Sequence, residues 1–279
     1  MGKLYICGTP IGNLEDVSIR LLKTLRSVDL IICEDTRHTF KLLSRYKIKK
    51  ATISYHEHSK KSKEDYIIEE LSKGKNIALV SDAGMPLISD PGYNLIMRII
   101  EAGIAIEVVP GPSAFVAALA LSGIDSKNFV FEGFLPRRRG KRLEKLSELK
   151  DETRTLAIYE APHRLLDTLA DIERVMGGER NLAVTRELTK KHEEVKRGSV
   201  AEIRKYFMNN QPRGEITIVI AGKEELIDNE SKLDEIAEEI EEMINEGIDK
   251  KEAFKMKARE YKVKKSLIYN YFVGKNKQE

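Results

Sequence analysis

The 279-residue chain has no tryptophan, two cysteines and only 6% aromatic residues. Two cysteines, Cys7 and Cys33, are too few for a disulfide framework or a zinc site. Both sit in β-like apolar runs, where a free thiol behaves as a small buried hydrophobe. The five histidines are scattered without ligand spacing, so no metal is expected. No run approaches the ~18 apolar residues of a membrane span, and the longest, Ala114 to Leu121, is core-sized. The N-terminus, Met-Gly-Lys-Leu-Tyr-Ile-Cys-Gly, reads as a strand entering a turn and lacks a cleavable signal pattern. Neither G-x-G-x-x-G nor Gly-Lys-Ser/Thr occurs, which removes the common phosphate-binding fingerprints. A soluble, reduced, cytoplasmic protein is expected.

Net charge is also small, at +3, but it is unevenly distributed. Residues 224–249 carry twelve acids against the single Lys232, a net −11, and residues 250–279 carry ten bases against three acids, a net +7. The body, residues 1–223, is therefore +7. Its densest basic cluster is Arg137, Arg138, Arg139, Lys141 and Arg142 around Gly140, just after Phe134-Leu135-Pro136. That context suggests a mobile loop. Such a cluster is either a solvated charged face or a phosphate-binding arm, since Lys and Arg clusters are the electrostatic footprint of nucleic-acid binding.

The length favours about two domains. Through residue 125, apolar runs alternate with helical patterns. Strands are expected at Lys3–Cys7, Asp29–Cys33, Ile77–Val80 and Ala105–Val109. Helices are expected at Ser18–Ser27, Thr36–Tyr46, Glu64–Ser72 and Tyr93–Ala102. This alternation implies βαβ crossovers and a largely parallel sheet. A second α/β unit, residues 126–223, has strands at Phe129–Phe131, Thr155–Tyr159, Asn181–Thr185 and Glu215–Ala221, which suggests a smaller sheet. Its helices fall at Lys141–Leu149, Arg164–Val175 and Val200–Met208. A third unit, residues 224–279, reads as three helices. Its Val-Lys-Lys-Ser turn before the last resembles a helix-turn-helix, with Lys264 and Lys265 as candidate nucleic-acid contacts; a helical cap on the body fits the same pattern.

Ligands of open parallel sheets bind outside the carboxyl ends of the strands. Three expected strands end in Gly/Pro-rich loops: Gly8-Thr9-Pro10-Ile11-Gly12-Asn13-Leu14, Ser81-Asp82-Ala83-Gly84-Met85-Pro86 continuing to Ser89-Asp90-Pro91-Gly92, and Pro110-Gly111-Pro112-Ser113-Ala114. Glycine lets backbone approach a ligand closely. Ser113 is placed to cap a helix starting at Ala114, whose free N–H groups suit a carboxylate or phosphate. The Ser81–Pro86 loop, with one acid and no base, suits a neutral-to-cationic ligand. Polar groups also gather at Glu34-Asp35-Thr36-Arg37-His38, Tyr159-Glu160-Ala161-Pro162-His163-Arg164 and Arg186-Glu187-Leu188-Thr189-Lys190. A cleft between the two α/β units is implied.

In order and spacing these loops, with Phe131-Glu132-Gly133-Phe134-Leu135-Pro136 and Gly214-Glu215-Ile216, resemble the tetrapyrrole methylase superfamily, and within it the methyltransferases of bacterial small-subunit ribosomal RNA. The resemblance covers about residues 1–222. It implies two α/β domains with an S-adenosylmethionine site between them, usually in a homodimer. It also implies 2′-O-methylation of a cytidine ribose in the decoding region of 16S ribosomal RNA. Cofactor contacts carry onto Pro10, Ile11 and Gly12; Asp82, Gly84 and Met85; Ser113 and Ala114; Tyr159 and Ala161; and Gly214 and Ile216. The family usually has Thr at the position of Met85. If the backbone meets the cofactor there, the change is tolerated; if the Thr hydroxyl does, Met85 cannot replace its hydrogen bond.

A ribose hydroxyl is a poor nucleophile, and a positioned base helps by ~10²–10⁴-fold. Asp35, Glu160, His163, Glu187 and Lys190 are candidates. Arg37, Arg164 and Arg186 are candidates for holding the flanking phosphates. Glu34–Arg37 and Arg186-Glu187 are expected to face one another across the cleft. The competing readings are methylation of a small corrin-type precursor and a non-catalytic RNA-binding protein.

Overall fold

In the computed structural model, which describes residues 1–56, 61–223, 230–261, 263 and 265–275, the runs Leu30–Cys33 (β2) and Ile77–Val80 (β4) are buried at every position. They lie inside a five-stranded parallel sheet with Lys3–Cys7 (β1), Ala51–Ser54 (β3) and Ala105–Val109 (β5), ordered β3-β2-β4-β1-β5. Period-two alternation splits the strand residues between two cores. Cys7, Ile31, Cys33, Ala78 and Val80 meet helices Ile19–Ser27 (α1) and Thr36–Arg45 (α2) on one face. Leu4, Leu30, Ile32, Ile77 and Leu79 meet Lys61–Ser72 (α3) and Tyr93–Glu101 (α4) on the other. The ends of α1 and α2 are set locally: Ser18 Oγ accepts the Leu21 N–H at 3.0 Å, and Asp35 accepts the Arg37 N–H at 2.8 Å.

The second sheet contains Phe129–Phe134 (β6), Thr155–Glu160 (β7), Asn181–Arg186 (β8), Glu194–Ser199 (β9) and Ile216–Ile220 (β10), ordered β6-β7-β10-β8-β9. Only the β6–β7 pair is parallel. Contrary to the expected smaller sheet, it has as many strands as the first. The unexpected member is β9, and the first sheet likewise gains β3. Both are edge strands with little apolar content, because an edge needs no continuous buried run. One face of the second sheet carries Arg139–Leu149 (α6), Leu165–Met176 (α7) and Val200–Asn209 (α8) over a large aliphatic core. Its other face receives Ala114–Ser122 (α5), where Ala118 and Leu119 pack on Ala157 and Val219 together with Ile11 and Leu188. The helix that follows the last strand of the first sheet thus joins the two sheets. They form one unit, Met1–Lys223.

The basic run differs from expectation. Instead of a mobile loop, its second half is the first turn of α6. Arg139 and Arg142, three apart on a helix, share a face, and both reach Asp171 on α7. Arg142 is buried there, while Arg137, Arg138 and Lys141 are exposed.

The second unit, Glu224–Glu279, contains Glu230–Asn245 (α9), Lys250–Glu260 (α10) and Lys265–Lys275 (α11). Ile236, Ile240, Ala253, Phe254, Ile268 and Phe272 form its core. Gly247, at φ +92°, turns the chain after α9, and Asp249 caps α10 through the Lys251 and Glu252 N–H groups. The acidic helix is tied within this unit: Glu239 accepts from Tyr261 Oη at 2.8 Å and pairs with Lys257 at 2.8 Å. Lys265 is exposed at the start of α11, and Lys264 lies outside the described residues.

Candidate functional site

Because β4, β1 and β5 are adjacent, the loops leaving their carboxyl ends meet. Thr9 and Gly84 exchange backbone hydrogen bonds at 2.8 and 3.1 Å. Gly8 and Gly111 cross so closely that a Cβ on Gly111 would sit 2.6 Å from the Gly8 carbonyl carbon. Glycine is required at that crossing because the space for a side chain is already occupied by backbone. The Met85 thioether covers it, 2.6 Å from where a Gly8 Cβ would project.

These laced loops form one wall of a cleft of about 390 Å³. Ile11, Gly84, Met85, Ser113 and Ala114 line it from the first sheet's side, and Tyr159, Ala161, Gly214 and Ile216 from the second's. Of the other residues expected to contact a cofactor, Pro10, Gly12 and Asp82 are not part of this lining. Gly12 is pressed against Leu188, Thr189 and Lys190, and Asn13 N–H donates to Thr189 Oγ1 at 3.0 Å, bridging the two halves. Asp82 turns away, accepting from the Asp35 N–H at 3.0 Å and meeting His38 Nδ1 at 2.9 Å. Ile88, Ser89, Asp90, Phe134 and Leu188 also line the cleft, beyond the contacts expected from sequence. For Asp90 there was a signal: it is a lone charge in the Gly/Pro-rich continuation of the β4 loop.

Ser113 occupies the cap position of α5, but its side chain makes no cap bond. The expected hydroxyl cap is absent, and the helix start is left open beside the cleft, with its unbonded N–H groups and positive dipole end. Phe131 stacks on Phe115 of α5 at 4.3 Å and meets Tyr159 edge-on at 5.0 Å. Burial pushes the Tyr159 phenol up, opposed by a backbone hydrogen bond from Phe115. The β6 bulge at Gly133, φ +61°, brings that strand against Ser89. Among the described residues, the non-glycine positions at positive φ are Lys47, Leu87, Ser89, Glu187 and Thr189. The last four flank the cleft on two loops, the distribution typical of functional sites.

The candidate catalytic groups fall into distinct settings. Asp35 grips Arg37 through both oxygens, at 3.0 and 2.6 Å. That hydrogen bonding holds its carboxyl down to about 2. Glu160 is buried at the cleft wall, with Oε2 accepting from Thr168 at 2.5 Å and Oε1 from the Ala161 N–H at 2.8 Å. Arg164 lies 3.3 Å from Oε1 and also donates to the Leu135 carbonyl at 3.0 Å. His163 is exposed. Glu187 accepts from Lys190 at 2.9 Å and from the Glu215 N–H at 3.0 Å. Burial acts to raise Glu187, but these partners outweigh it and the net displacement is downward. Lys190 is correspondingly raised, its carboxylate partners outweighing burial. Among the described residues, no hydrogen bond or ion pair joins Glu34–Arg37 to Arg186-Glu187 across the cleft; Arg186 is taken by Glu194 at 2.5 Å.

Two sheets flanking a ligand-sized cleft at their loop ends make a two-lobed architecture with room for a small ligand between its halves. Residues 3–204 match the Tetrapyrrole (Corrin/Porphyrin) Methylases, and the chain belongs to that family. It is similar to the Ribosomal RNA small subunit methyltransferase I of Thermotoga maritima, at 52% identity over 80% of this chain and 100% of that one. It is also similar to the protein of the same name from Synechocystis, at 44% identity over 96% of each chain. Among solved structures, a cobalt precorrin-4 methyltransferase superposes with TM-score 0.61 at 18% identity over 78% of this chain and 94% of its own. A diphthine synthase does so with TM-score 0.60 at 12% identity over 79% and 90%. These two share the fold.

Proposed function

We propose that this chain is an S-adenosylmethionine-dependent methyltransferase that methylates the ribose 2′-hydroxyl of a cytidine in the decoding region of 16S ribosomal RNA. The cleft is the observation that carries the reading. Among the described residues its lining holds no lysine or arginine, and it combines apolar walls with an open helix start. That donor set fits a ligand with an adenosine, a cationic centre and a carboxylate, and does not suit a polyphosphate. The close identity to proteins named as small-subunit ribosomal RNA methyltransferases supports the substrate class.

Pro10, Ile11, Gly12, Asp82, Gly84, Met85, Ser113, Ala114, Tyr159, Ala161, Gly214 and Ile216 would hold the cofactor, either as lining or as the layer that shapes it. When bound, the cofactor supplies an activated methyl group on a positively charged sulfonium. The chain's part is to align the ribose oxygen with it, a contribution worth up to ~7–11 kcal/mol. Arg137, Arg138 and Lys141, exposed at the start of α6, would grip phosphates and position the RNA without reading its sequence. Lys264 and Lys265 are the corresponding candidates in the helical unit. Arg142 and Arg139 instead serve Asp171. The same reading makes the protein a cytoplasmic homodimer acting on the small ribosomal subunit.

The test is incubation with labelled S-adenosylmethionine and small subunits from a strain lacking this gene, followed by nucleotide mapping. Label in one 2′-O-methylcytidine of the decoding region is expected. Cofactor binding without transfer would instead indicate a non-catalytic RNA binder, and transfer to a corrin precursor but not to RNA would return the chain to the activity of its structural neighbours.

A further inference from the structure

We propose that Asp90 is the group that takes the proton of the attacking ribose hydroxyl, an inference that rests on the ribose-methylation reading above. Among the described residues, four titratable side chains line the cleft: Asp90, Tyr159, Glu160 and Glu215. Glu160 is buried, accepts from Thr168 and the Ala161 N–H, and lies 3.3 Å from the Arg164 guanidinium. Glu215 is largely exposed and faces Lys190 at 3.3 Å. Tyr159 is protonated at neutral pH, since burial raises it further. Outside the lining, Asp35 is neutralised by Arg37, and Glu187 by Lys190. Asp90 differs from all of these. It is half-buried at the cleft wall, and among the described residues no cation pairs with it.

Its surroundings suit a proton acceptor. Glu34 on the loop after β2 and Asp82 on the loop after β4 act on it with like charge, the Ser81 hydroxyl, which donates to the Gly84 carbonyl at 3.0 Å, is a polar neighbour, and Tyr159 of β7 interacts with it electrostatically. Burial comes first among the causes that push the Asp90 carboxyl up to about 6, with Glu34 and Asp82 adding to it and Ser81 opposing. A base whose pKa lies near the working pH combines the correct protonation state with proton-transfer driving force. The hydroxyl oxygen bonds to the methyl carbon as the carbon–sulfur bond breaks, leaving its electron pair on sulfur. The hydroxyl proton passes to an Asp90 oxygen and then to water.

Asp90→Asn keeps the side chain's shape and removes the base. Four measurements decide the matter on the full chain: affinity for S-adenosylmethionine, affinity for neutral S-adenosylhomocysteine, single-turnover methylation of unmodified small subunits across pH, and a carbon-13 titration of carboxyl-labelled aspartate. Both affinities should match wild type, and the single-turnover rate should fall by ~10²–10⁴-fold. The wild-type rate should rise with pH through about 6, a limb the variant lacks, and one carboxyl resonance titrating there should vanish in the variant. A near-normal variant rate overturns the proposal. Selective loss of S-adenosylmethionine affinity also overturns it, because the carboxylate would then hold the cationic ligand. Loss of both affinities makes Asp90 a scaffold residue and overturns it equally. If wild type methylates no ribosomal RNA, the functional reading fails and takes this one with it, an outcome distinct from an active wild type with an equally active variant.

Discussion

Arg142 donates to Asp171 Oδ2 from both Nε, at 2.9 Å, and Nη2, at 2.7 Å, with both side chains buried. The pair pins α6 to α7 beneath the exposed arginines. Removing one member of a buried pair costs about 3–5 kcal/mol when the other charge is left uncompensated, and Arg139 Nε, 3.0 Å from Asp171 Oδ1, keeps the cost here toward the lower end. Arg142→Ala should therefore lower the melting temperature by on the order of 10 °C, at roughly 2–4 °C per kcal/mol for a unit of this size. Replacing both partners with Met and Leu should recover much of the stability, because apolar substitutes for a buried pair are often neutral or stabilising. Calorimetry of the single and double variants checks this.

The neighbours of Arg142 in the same run should behave in the opposite way. Arg137, Arg138 and Lys141 are exposed, and surface substitutions usually change stability by under about 0.5 kcal/mol. Replacing all three with Ala should leave melting unchanged and weaken RNA binding. The slope of log affinity against log salt should fall by about 1 for each phosphate that is no longer neutralised. An unchanged slope would remove these residues from the RNA surface.

The Gly8–Gly111 crossing makes a sharper test of the cleft itself. A Cβ at Gly111 would meet Gly8 backbone atoms at 2.6 to 2.8 Å, and backbone cannot swing aside as a side chain can. Overpacking costs typically ~1–3 kcal/mol. If Gly111→Ala spreads the loops that wall the cleft, S-adenosylmethionine affinity should drop by roughly tenfold or more, at about 1.4 kcal/mol per decade. Titration calorimetry on the variant reads this directly. Wild-type affinity would show that the loops yield without disturbing the site.

Asp35 offers a pH signature. Hydrogen bonds from the Arg37 guanidinium and N–H hold its folded-state carboxyl down to about 2, below its ordinary 3.8. A depressed carboxyl contributes stability that is complete above its unfolded value and is lost as pH falls toward the folded one. Asp35→Asn should flatten the dependence of stability on pH between about 4 and 2 by lowering stability at neutral pH, where the wild-type carboxylate's contribution is complete. Denaturant midpoints measured across that window test the sign.

The parts of the molecule that could be read in its sequence are those set by local pattern. The buried runs of β2 and β4, the Ser18 cap and the Gly/Pro loops at strand ends all carry their reasons within a few residues. What escaped reading depends on distant partners. Strands β3 and β9 exist because a neighbouring strand offers an edge, and their own residues, Ala-Thr-Ile-Ser and Glu-Val-Lys-Arg-Gly-Ser, show no buried run. Arg137 and Arg142 look alike in one basic stretch until the phase of α6 aims the latter at Asp171, 29 residues away. Asp90 shows in the sequence only as a lone charge among Gly and Pro, and its burial and the like charge of Glu34 on the neighbouring strand's loop depend on the parallel sheet.

Cutting the chain after Lys223 should separate cofactor binding from RNA binding. Every described residue lining the cleft precedes that point, and Met1–Lys223 forms a unit with cores of its own. The Thermotoga maritima relative aligns along its whole length over 224 residues, close to the length of this unit. The shortened protein should therefore bind S-adenosylmethionine as tightly as the full chain. The removed helices have a core of their own. If Lys264 and Lys265 contact ribosomal RNA, the shortened protein should bind small subunits more weakly and with a shallower salt slope. Equal slopes for the two proteins would remove the helical unit from the RNA surface and leave the exposed arginines of α6 as its remaining basic candidates.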